Sequence, residues 1–589
     1  MTYSKAKSIL KKFYGYDDFR PGQRKVVQSL LGDKDTVAIM PTGAGKSICF
    51  QIPALLFPGV TLVVSPLISL MKDQVDSLRQ IGIPAVYINS SVSRAELAES
   101  LRGIAAGFYK IIYIAPERLT PEYLPDMFKN LDISMIAVDE AHCLSQWGHD
   151  FRPSYKNILT FMQFLPKKPL IGAFTATATP EVKEDIVKLL GLSAPAVFVT
   201  GFDRANLYFS VLRGENKDKF VTDYVHKHLT EAGIIYAGTR KDVDALQALL
   251  ETKGIKAGRY HAGMTDEERN RAQEEFLYDD VSVIVATNAF GMGIDKPNVR
   301  YVIHYNMPKN IEAYYQEAGR AGRDGLPGEC ILLYSPQDTQ LQKFLISKSV
   351  ESETRQQLEY KRLQSMVDYC HTPQCLRAFI LHYFGETDAN ETCDNCSNCK
   401  MDGELVDITT DAQMVLSCVY RVHERFGVKV VAEILKGSKS ARMKQFHFER
   451  LSTYALMKER TVKQISDLIL RLAAMQYVNI TESQYPVLQL NALSWQVLRG
   501  QQKVWQKVVT VKKAAVKSDL FEKLRLLRRE LAIKANLPPY MIFSDATLTQ
   551  MAQEKPSSME EMSRIKGVGE FKLNRYGDDF LKVIKNFMS

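Results

Sequence analysis

The chain has 589 residues, 46% of them hydrophobic and 24% charged, with a net charge of +9. This length allows about three to five domains, and the composition excludes a disordered or collagen-like chain. No run of 18 apolar residues offers a membrane span, and Met1-Thr2-Tyr3-Ser4-Lys5 leads into mixed helical sequence without an apolar signal core, so a cytoplasmic protein is expected.

Through about residue 335, short apolar runs alternate with amphipathic stretches. Thr36–Met40, Thr61–Ser65, Ile111–Ala115, Met135–Val138 and Leu170–Thr175 each read as a buried strand, with charged helical segments such as Glu181–Leu190 between them. Such alternation implies a parallel sheet covered on both faces. The pattern restarts at Gly233–Ala237 and continues through Val281–Ala286, Tyr301–His304 and Cys330–Tyr334. Two consecutive α/β domains are therefore predicted, joined near residues 200–210. After Gln337 the strand pattern stops, and polar helical sequence leads to a cysteine cluster. Asp407–Leu435, Ile465–Ala474 and the hairpin-like Tyr477–Leu490 fit a small winged-helix module. Gly500–Ser518 is polar, basic and free of proline, and reads as a linker or a helix extension. A compact helical domain is expected from Asp519 onward.

The first α/β half contains Pro41-Thr42-Gly43-Ala44-Gly45-Lys46-Ser47 between a strand and a predicted helix. Glycines let backbone N–H groups approach phosphates, the lysine meets the β and γ charges, and the hydroxyl serves Mg²⁺. Met40 stands where the general pattern has its first glycine. Asp139-Glu140-Ala141-His142 follows an apolar strand, at the sheet edge where parallel sheets hold ligands. Asp139 would hold Mg²⁺ through its water shell and Glu140 would polarise the attacking water. Gln316-Glu317-Ala318-Gly319-Arg320-Ala321-Gly322-Arg323 lies in the second half. Arg323, and after it Arg320, are candidates for the finger on the γ-phosphate, a contribution of ~10³–10⁵ in rate. A nucleotide site split between two halves can open and close, which suits a nucleic-acid motor. The basic balance suits a phosphate-backbone partner weakly.

Five of the nine cysteines cluster. Cys375 is followed 18 residues later by Cys393-x-x-Cys396-x-x-Cys399, a spacing that folds thiolates around one ion. A four-thiolate structural zinc site is expected. An iron–sulfur cluster is the competitor, but the further cysteine and proline of that pattern are absent after Cys399. Cys370 reads as a packing residue.

These residues together resemble superfamily 2 helicases, and more closely the bacterial RecQ DNA helicases, over almost the whole chain. Phe19-Arg20-Pro21-Gly22-Gln23 is similar to their nucleotide-base motif, which implies that Gln23 reads the adenine edge with Tyr16 and Arg20 flanking the base. Ser65–Leu70, Ala115–Arg118 and Thr175–Ala178 resemble the first half's DNA-contact and coupling motifs. Ala286–Asp295 resembles the motif linking DNA grip to ATP state. Cys143-Leu144-Ser145-Gln146-Trp147-Gly148-His149-Asp150-Phe151-Arg152-Pro153 resembles the aromatic-rich loop of RecQ proteins. Trp147 and Phe151 offer faces to unstacked bases, worth ~1–3 kcal/mol per base, and Arg152 offers a charge. The resemblance also implies zinc at the cysteine cluster.

In the winged-helix segment, Lys436 and Lys439 are candidate phosphate contacts and Tyr485 sits at the wing tip. The tail from about Asp519 resembles the HRDC domain, with Tyr540 and Lys566 as candidate single-strand contacts. The expected division is 1–205 and 206–340 for two RecA-like domains, 341–405 for a zinc-binding helical segment and 406–500 for a winged-helix domain. A linker over 501–516 and an all-helical HRDC-like domain over 517–589 complete it.

The reading is an ATP- and Mg²⁺-dependent DNA helicase that also holds Zn²⁺. The resemblance implies 3′-to-5′ movement on single-stranded DNA and unwinding of duplex or branched DNA in recombination and repair. It places the protein in the cytoplasm, at the nucleoid. Expected partners are single-stranded and duplex DNA, with single-strand DNA-binding protein and recombination or repair factors in addition, and no membrane. Three rivals stay open: an RNA helicase of the same superfamily, a DNA-binding scaffold with a dead ATPase, and an ATPase that translocates without separating strands.

Overall fold

The computed structural model describes every residue except 1, 90–91, 121–130, 149, 292–295, 351, 401, 511–518, 536 and 589. The end of the predicted grip motif, Met292 to Asp295, thus lies outside the described residues.

Seven strands build the first sheet: β1 (Thr36–Ile39), β2 (Val60–Val64), β3 (Ala85–Ile88), β4 (Ile111–Ile114), β5 (Ile133–Val138), β6 (Leu170–Thr175) and β7 (Ala196–Val199). Their order is β3-β4-β2-β5-β6-β1-β7 and every pairing is parallel. The second sheet holds β8 (Leu207–Arg213), β9 (Ala232–Tyr236), β10 (Ala257–Tyr260), β11 (Val283–Ala286), β12 (Val299–His304) and β13 (Gly328–Tyr334). Its order is β10-β11-β9-β12-β13-β8, again parallel throughout. Central strands such as β1, β2, β4 and β6 are buried at every residue, so their sequences are near-continuous apolar runs. The four strands that the sequence pattern did not predict, β3, β7, β8 and β10, are the four sheet edges. In β10 and β8 partial exposure admits Arg259 and Arg213, which break the apolar run; β3 and β7 are apolar at every residue.

One apolar cluster runs from Ile136 and Tyr155 in the first domain through Phe202 to Tyr315, Tyr369 and Phe384. Phe202, in the connection between the sheets, stacks on Phe384 with ring centres 4.5 Å apart. The helix Leu376–Tyr383 carries that contact, so the cysteine-rich segment packs on the interdomain connection.

The next module packs the helices Thr409–Arg421, Val428–Lys436 and Val462–Ala474 around Leu416, Ile434, Leu435 and Leu468, with a short hairpin of β15 (Asn479–Ile480) and β16 (Leu488–Gln489). Two further strands correct the expected boundaries. β14 (Asp402–Asp407) pairs antiparallel with β17 (Trp505–Thr510), residue for residue. The segment predicted as linker over 501–516 therefore begins as a strand, and the winged-helix module extends past both ends of 406–500. Val508 and Val509 between lysines make a β pattern that the polar composition of the segment masked. Residues 511–516 lie outside the described residues.

The last domain wraps the helices Asp519–Ala535, Asp545–Glu554 and Glu570–Met588 around Leu524, Phe543, Met551 and Phe580. Arg528, buried at its centre, donates to the Phe543 carbonyl at 2.8 Å and pairs with Asp545 at 2.8 Å. This domain touches both α/β domains. The ring of Tyr540 lies 5.7 Å from Lys296 Nζ, and Arg529 stands 3.6 Å from Asp280 in the second domain. Gly15 of the first domain, in the left-handed region at φ 74°, packs so closely that a Cβ would come 2.8 Å from the Gly569 nitrogen.

Candidate active site and metal centre

A cavity of about 300 Å³ opens between the two α/β domains. Its first wall is the phosphate loop, which turns from β1 into the helix Lys46–Leu56. Gly43 and Gly45 take φ of 80° and 77°, conformations that an L side chain rarely adopts. A Cβ on Gly45 would come 2.5 Å from the Gln23 amide. Thr42, Gly43, Gly45, Lys46 and Ser47 all face the cavity.

Tyr16, Arg20 and Gln23 line its outer side. Gln23 is buried and donates from Nε2 to the Ala44 carbonyl at 2.7 Å, while its Oε1 accepts from the Arg20 N–H at 3.0 Å. Arg20 Nη1 donates to the Gly43 carbonyl at 3.0 Å. These side chains thus brace the phosphate loop, and Tyr16 remains 40% exposed beside them.

Asp139 and Glu140 follow β5 and face the cavity from its floor. Glu140 has a left-handed backbone, φ 46°, and its carboxylate stands 3.8 Å from Lys46 Nζ. Burial, and then the adjacent Glu140 charge, push the Asp139 carboxyl up, while Lys46 pulls it down. Buried Asp139 and half-buried Glu140 stand side by side in the cavity with the Ser47 hydroxyl, an all-oxygen donor set that suits a divalent cation. His142 does not line the cavity. It lies fully buried beneath it, with Nδ1 2.8 Å from Thr175 Oγ1 and 3.3 Å from Glu140. Burial holds its pKa down to about 3, so the ring is neutral and its Nδ1 takes the Thr175 hydroxyl as its partner.

The far wall comes from the second domain. Gln316 lies on the helix Ile311–Ala318, and the turn after that helix carries Arg320 and Arg323; all three face the cavity. Arg320 is buried beside Tyr236, and that burial lowers its proton affinity.

Sequence reasoning missed Arg204. It leaves the interdomain connection and donates to Thr42 O in the phosphate loop and to Gly319 O, Ala321 O and Gly322 O in the arginine turn. A single arginine in an assumed connection offers no pattern. Only the fold brings four carbonyls around it.

The aromatic loop leaves the same floor. Tyr155 donates to the Asp139 carbonyl at 2.8 Å, and Ser145 Oγ donates to Asp185 at 2.6 Å. The Trp147 ring is 47% exposed. Phe151 lies with the Arg355 guanidinium 5.7 Å from its ring centre. Arg152 is turned inward, pairing with Asp150 at 3.1 Å and donating to the Pro66 carbonyl at 2.9 Å. Tyr485, 80% exposed, and Lys439 lie far along the chain on the winged-helix surface. Lys436 donates to the Lys458 carbonyl. Tyr540 is half-buried against Lys296, and Lys566 is exposed with its N–H donating to Gln550 at 3.1 Å.

The four sulfurs of Cys375, Cys393, Cys396 and Cys399 lie within 4.8 Å of one another, and Cys370 stays outside the group, buried on its helix. Tetrahedral zinc with Zn–S near 2.3 Å needs sulfurs about 3.8 Å apart, so the donors fit. Main-chain N–H groups point at the sulfurs: Ala378 to Cys375, Asn395 to Cys393 and Cys399 to Cys396, each at 3.4 Å. The same segment grips the interdomain connection. Asn395 donates to the carbonyls of Ala205 and Leu207 at 3.0 and 3.2 Å, and Arg377 donates to Leu207 O at 2.7 Å.

Family models match the chain from end to end. They are DEAD/DEAH box helicase over residues 20–186, helicase conserved C-terminal domain over 216–325, RecQ zinc-binding over 336–400, RQC domain over 402–515 and HRDC domain over 517–584. The ATP-dependent DNA helicase RecQ of Bacillus subtilis is 48% identical, with 99% of each chain covered. The proteins of the same description from Pasteurella multocida and Haemophilus influenzae are each 39% identical over 98% of this chain, covering 93% and 96% of their own lengths.

Proposed function

The chain belongs to the RecQ family of ATP-dependent DNA helicases, and from that premise we propose how its residues divide the work. The protein is an ATP-dependent DNA helicase whose cofactors are ATP, Mg²⁺ and Zn²⁺. The observation that carries the division of roles is the single cavity shared by the phosphate loop, the Asp139-Glu140 pair and the turn with Arg320 and Arg323.

In this reading Tyr16 and Arg20 flank the base and Gln23 meets its edge. Thr42, Gly43, Gly45 and Lys46 receive the phosphates. Ser47 and Asp139 hold Mg²⁺, which when bound neutralises charge on the phosphate oxygens. Glu140 orients the attacking water and takes its proton. The neutral His142, paired with the Thr175 hydroxyl, packs beneath the Glu140 carboxylate and holds the floor in place. Gln316, Arg320 and Arg323 reach the γ-phosphate when the two domains close, so hydrolysis and domain movement become one event.

Trp147 and Phe151 stack unpaired bases beside the hydrolytic floor, with Arg152 shaping the loop. The strand moves 3′-to-5′, by family resemblance. Tyr485 meets the duplex at the wing, and Tyr540 and Lys566 add single-strand contacts. Duplex and branched DNA in recombination and repair are the substrates of this reading. It also places the protein in the cytoplasm at the nucleoid, with single-strand DNA-binding protein and repair factors as partners. Among the described residues no helix is long and apolar enough to cross a membrane.

The test is strand separation on a duplex with a 3′ single-stranded tail, run in parallel with a 5′ tail and with RNA. ATP-dependent unwinding of the 3′-tailed DNA, lost in Lys46→Ala, supports the assignment. Preference for the 5′ tail would reverse the direction, and stronger stimulation by RNA would move the substrate.

A further inference from the structure

The geometry points to Arg362 as a positioning residue that ties the aromatic loop of the first domain to the helix that leads into the arginine turn of the second. Arg362 lies on the helix Glu353–His371 and is 7% exposed. Its Nη2 donates to the main-chain carbonyl of Trp147. Its Nε stands 3.5 Å from Glu312 Oε1, and its Nη1 stands 3.3 Å from Glu359 Oε1. One planar guanidinium therefore meets three groups on three segments of the chain.

Glu312 gives this contact its reach. It occupies the first turn of the helix Ile311–Ala318, four residues before Gln316 and one helix length before Arg320 and Arg323. Glu312 is 4% exposed; burial pushes its carboxyl up, and Arg362 draws it back down. The charge at the start of this helix thus depends on Arg362. At the helix's other end stands the wall of the nucleotide cavity.

The loop is gripped at a second point by the same helix. Arg355 lies seven residues before Arg362, two turns away on the same face, with its guanidinium 5.7 Å from the Phe151 ring centre. Trp147 is held through its carbonyl and not through its ring, which is 47% exposed. A base that stacks on these rings contends with Arg355 for the face of Phe151 and moves a loop whose backbone Arg362 holds. That motion reaches Glu312 through one rigid guanidinium. A core ion pair of purely structural kind needs the two glutamates only; the third bond, to a carbonyl of the other domain, couples the loop to them.

This inference rests on the proposed reading of Trp147 and Phe151 as strand contacts, which Trp147→Ala tests separately. The experiment compares ATPase of the full-length, zinc-loaded protein without DNA and with saturating oligo-dT, alongside oligo-dT binding by fluorescence anisotropy. Arg362→Lys keeps the charge between Glu312 and Glu359 but lacks the fork needed to reach the Trp147 carbonyl as well. It is expected to keep DNA-free ATPase within about twofold and the oligo-dT Kd within about threefold, and to lose about tenfold of the DNA-stimulated kcat. Glu312→Gln leaves Arg362 with Glu359 as its counter-charge and carries the same expectation, so it serves should the lysine variant fail to fold. The double variant is expected to be no worse than either single one. Full stimulation in both variants, or losses of binding and turnover in equal proportion, overturns the positioning role. Wild-type behaviour of Trp147→Ala with loss in Arg362→Lys keeps the tie and overturns the reading of Trp147 alone.

Discussion

Arg204 donates to the carbonyl of Thr42 across the nucleotide cleft, joining the interdomain connection to the phosphate loop. Its remaining donors reach Gly319 at 3.2 Å, Ala321 at 3.0 Å and Gly322 at 2.9 Å. Removing the side chain leaves four carbonyls without this donor, each bond worth roughly 1 kcal/mol net. Arg204→Ala is expected to lower the kcat/KM of ATP hydrolysis about tenfold or more, because the two walls lose their common anchor. Arg204→Lys recovers little of it, since one ammonium cannot span the set. Unchanged kcat/KM in steady-state assays would remove Arg204 from the account of closure.

The two arginines of the turn both line the cavity but differ in burial. Arg323 faces the cavity, and on the proposed role Arg323→Ala costs ~10³-fold or more in kcat while nucleotide binding changes less. Arg320 is buried beside Tyr236, so Arg320→Ala should lower the melting temperature as well as turnover. Paired kinetic and thermal measurements on the two variants distinguish them. A larger kcat loss at Arg320 with an unchanged melting temperature would exchange their roles.

Zinc has a mechanical consequence. The cysteine segment holds Ala205 and Leu207 through Asn395 and Arg377, and Phe202 through the Phe384 stack. Chelation, or Cys396→Ser, is expected to release about one zinc per chain and to open the connection around residues 202–207 to proteolysis before either sheet unfolds. Hydrogen exchange of the Leu207 region reads this directly. Protection that survives zinc loss would mean the segment stands without its metal.

Acid should act through two buried histidines. Burial holds both His142 and His371 near a pKa of about 3, against 6.5 for an unburied ring. Between those values the unfolded chain takes up protons that the folded chain refuses. Stability is therefore complete above about pH 6.5 and falls as the pH drops, by about 2 kcal/mol per histidine at about pH 5. Replacing His371, whose Nδ1–H donates to the Val367 carbonyl at 2.9 Å, with Gln should flatten the fall of apparent melting temperature between about pH 7.5 and 5. An identical slope in the variant would count against a neutral buried ring.

Much of this was legible in the chain itself, for physical reasons. A phosphate loop needs Gly43, Gly45, Lys46 and Ser47 in fixed order, and a tetrahedral site needs Cys393, Cys396 and Cys399 at short spacing, so local chemistry leaves local patterns. Buried central strands leave continuous apolar runs. The edge strands β8 and β10 do not, because partial exposure admits Arg213 and Arg259, whereas β3 and β7 are apolar at every residue and were legible but not predicted. β17 was hidden by its lysines and by its partner β14, about one hundred residues upstream. Arg204 and Arg362 left no signal at all, since each acts on carbonyls or carboxylates that only the folded chain assembles around it. Arg152 shows the converse: its motif marked the residue, but not that it turns inward to Pro66.

The seating of the C-terminal domain has a consequence for how DNA would be felt there. Tyr540 presents its ring to Lys296, whose side chain is fully buried, while Gly569 closes against Gly15. A strand that stacks on the face of Tyr540 turned to Lys296 must first find the domain lifted away, so docked molecules are lost to that mode of binding. If about one molecule in a hundred is undocked, the apparent affinity of that surface is about a hundredfold weaker than its intrinsic one. The exposed face and the internal contact are then two claims on one ring, and DNA concentration decides between them.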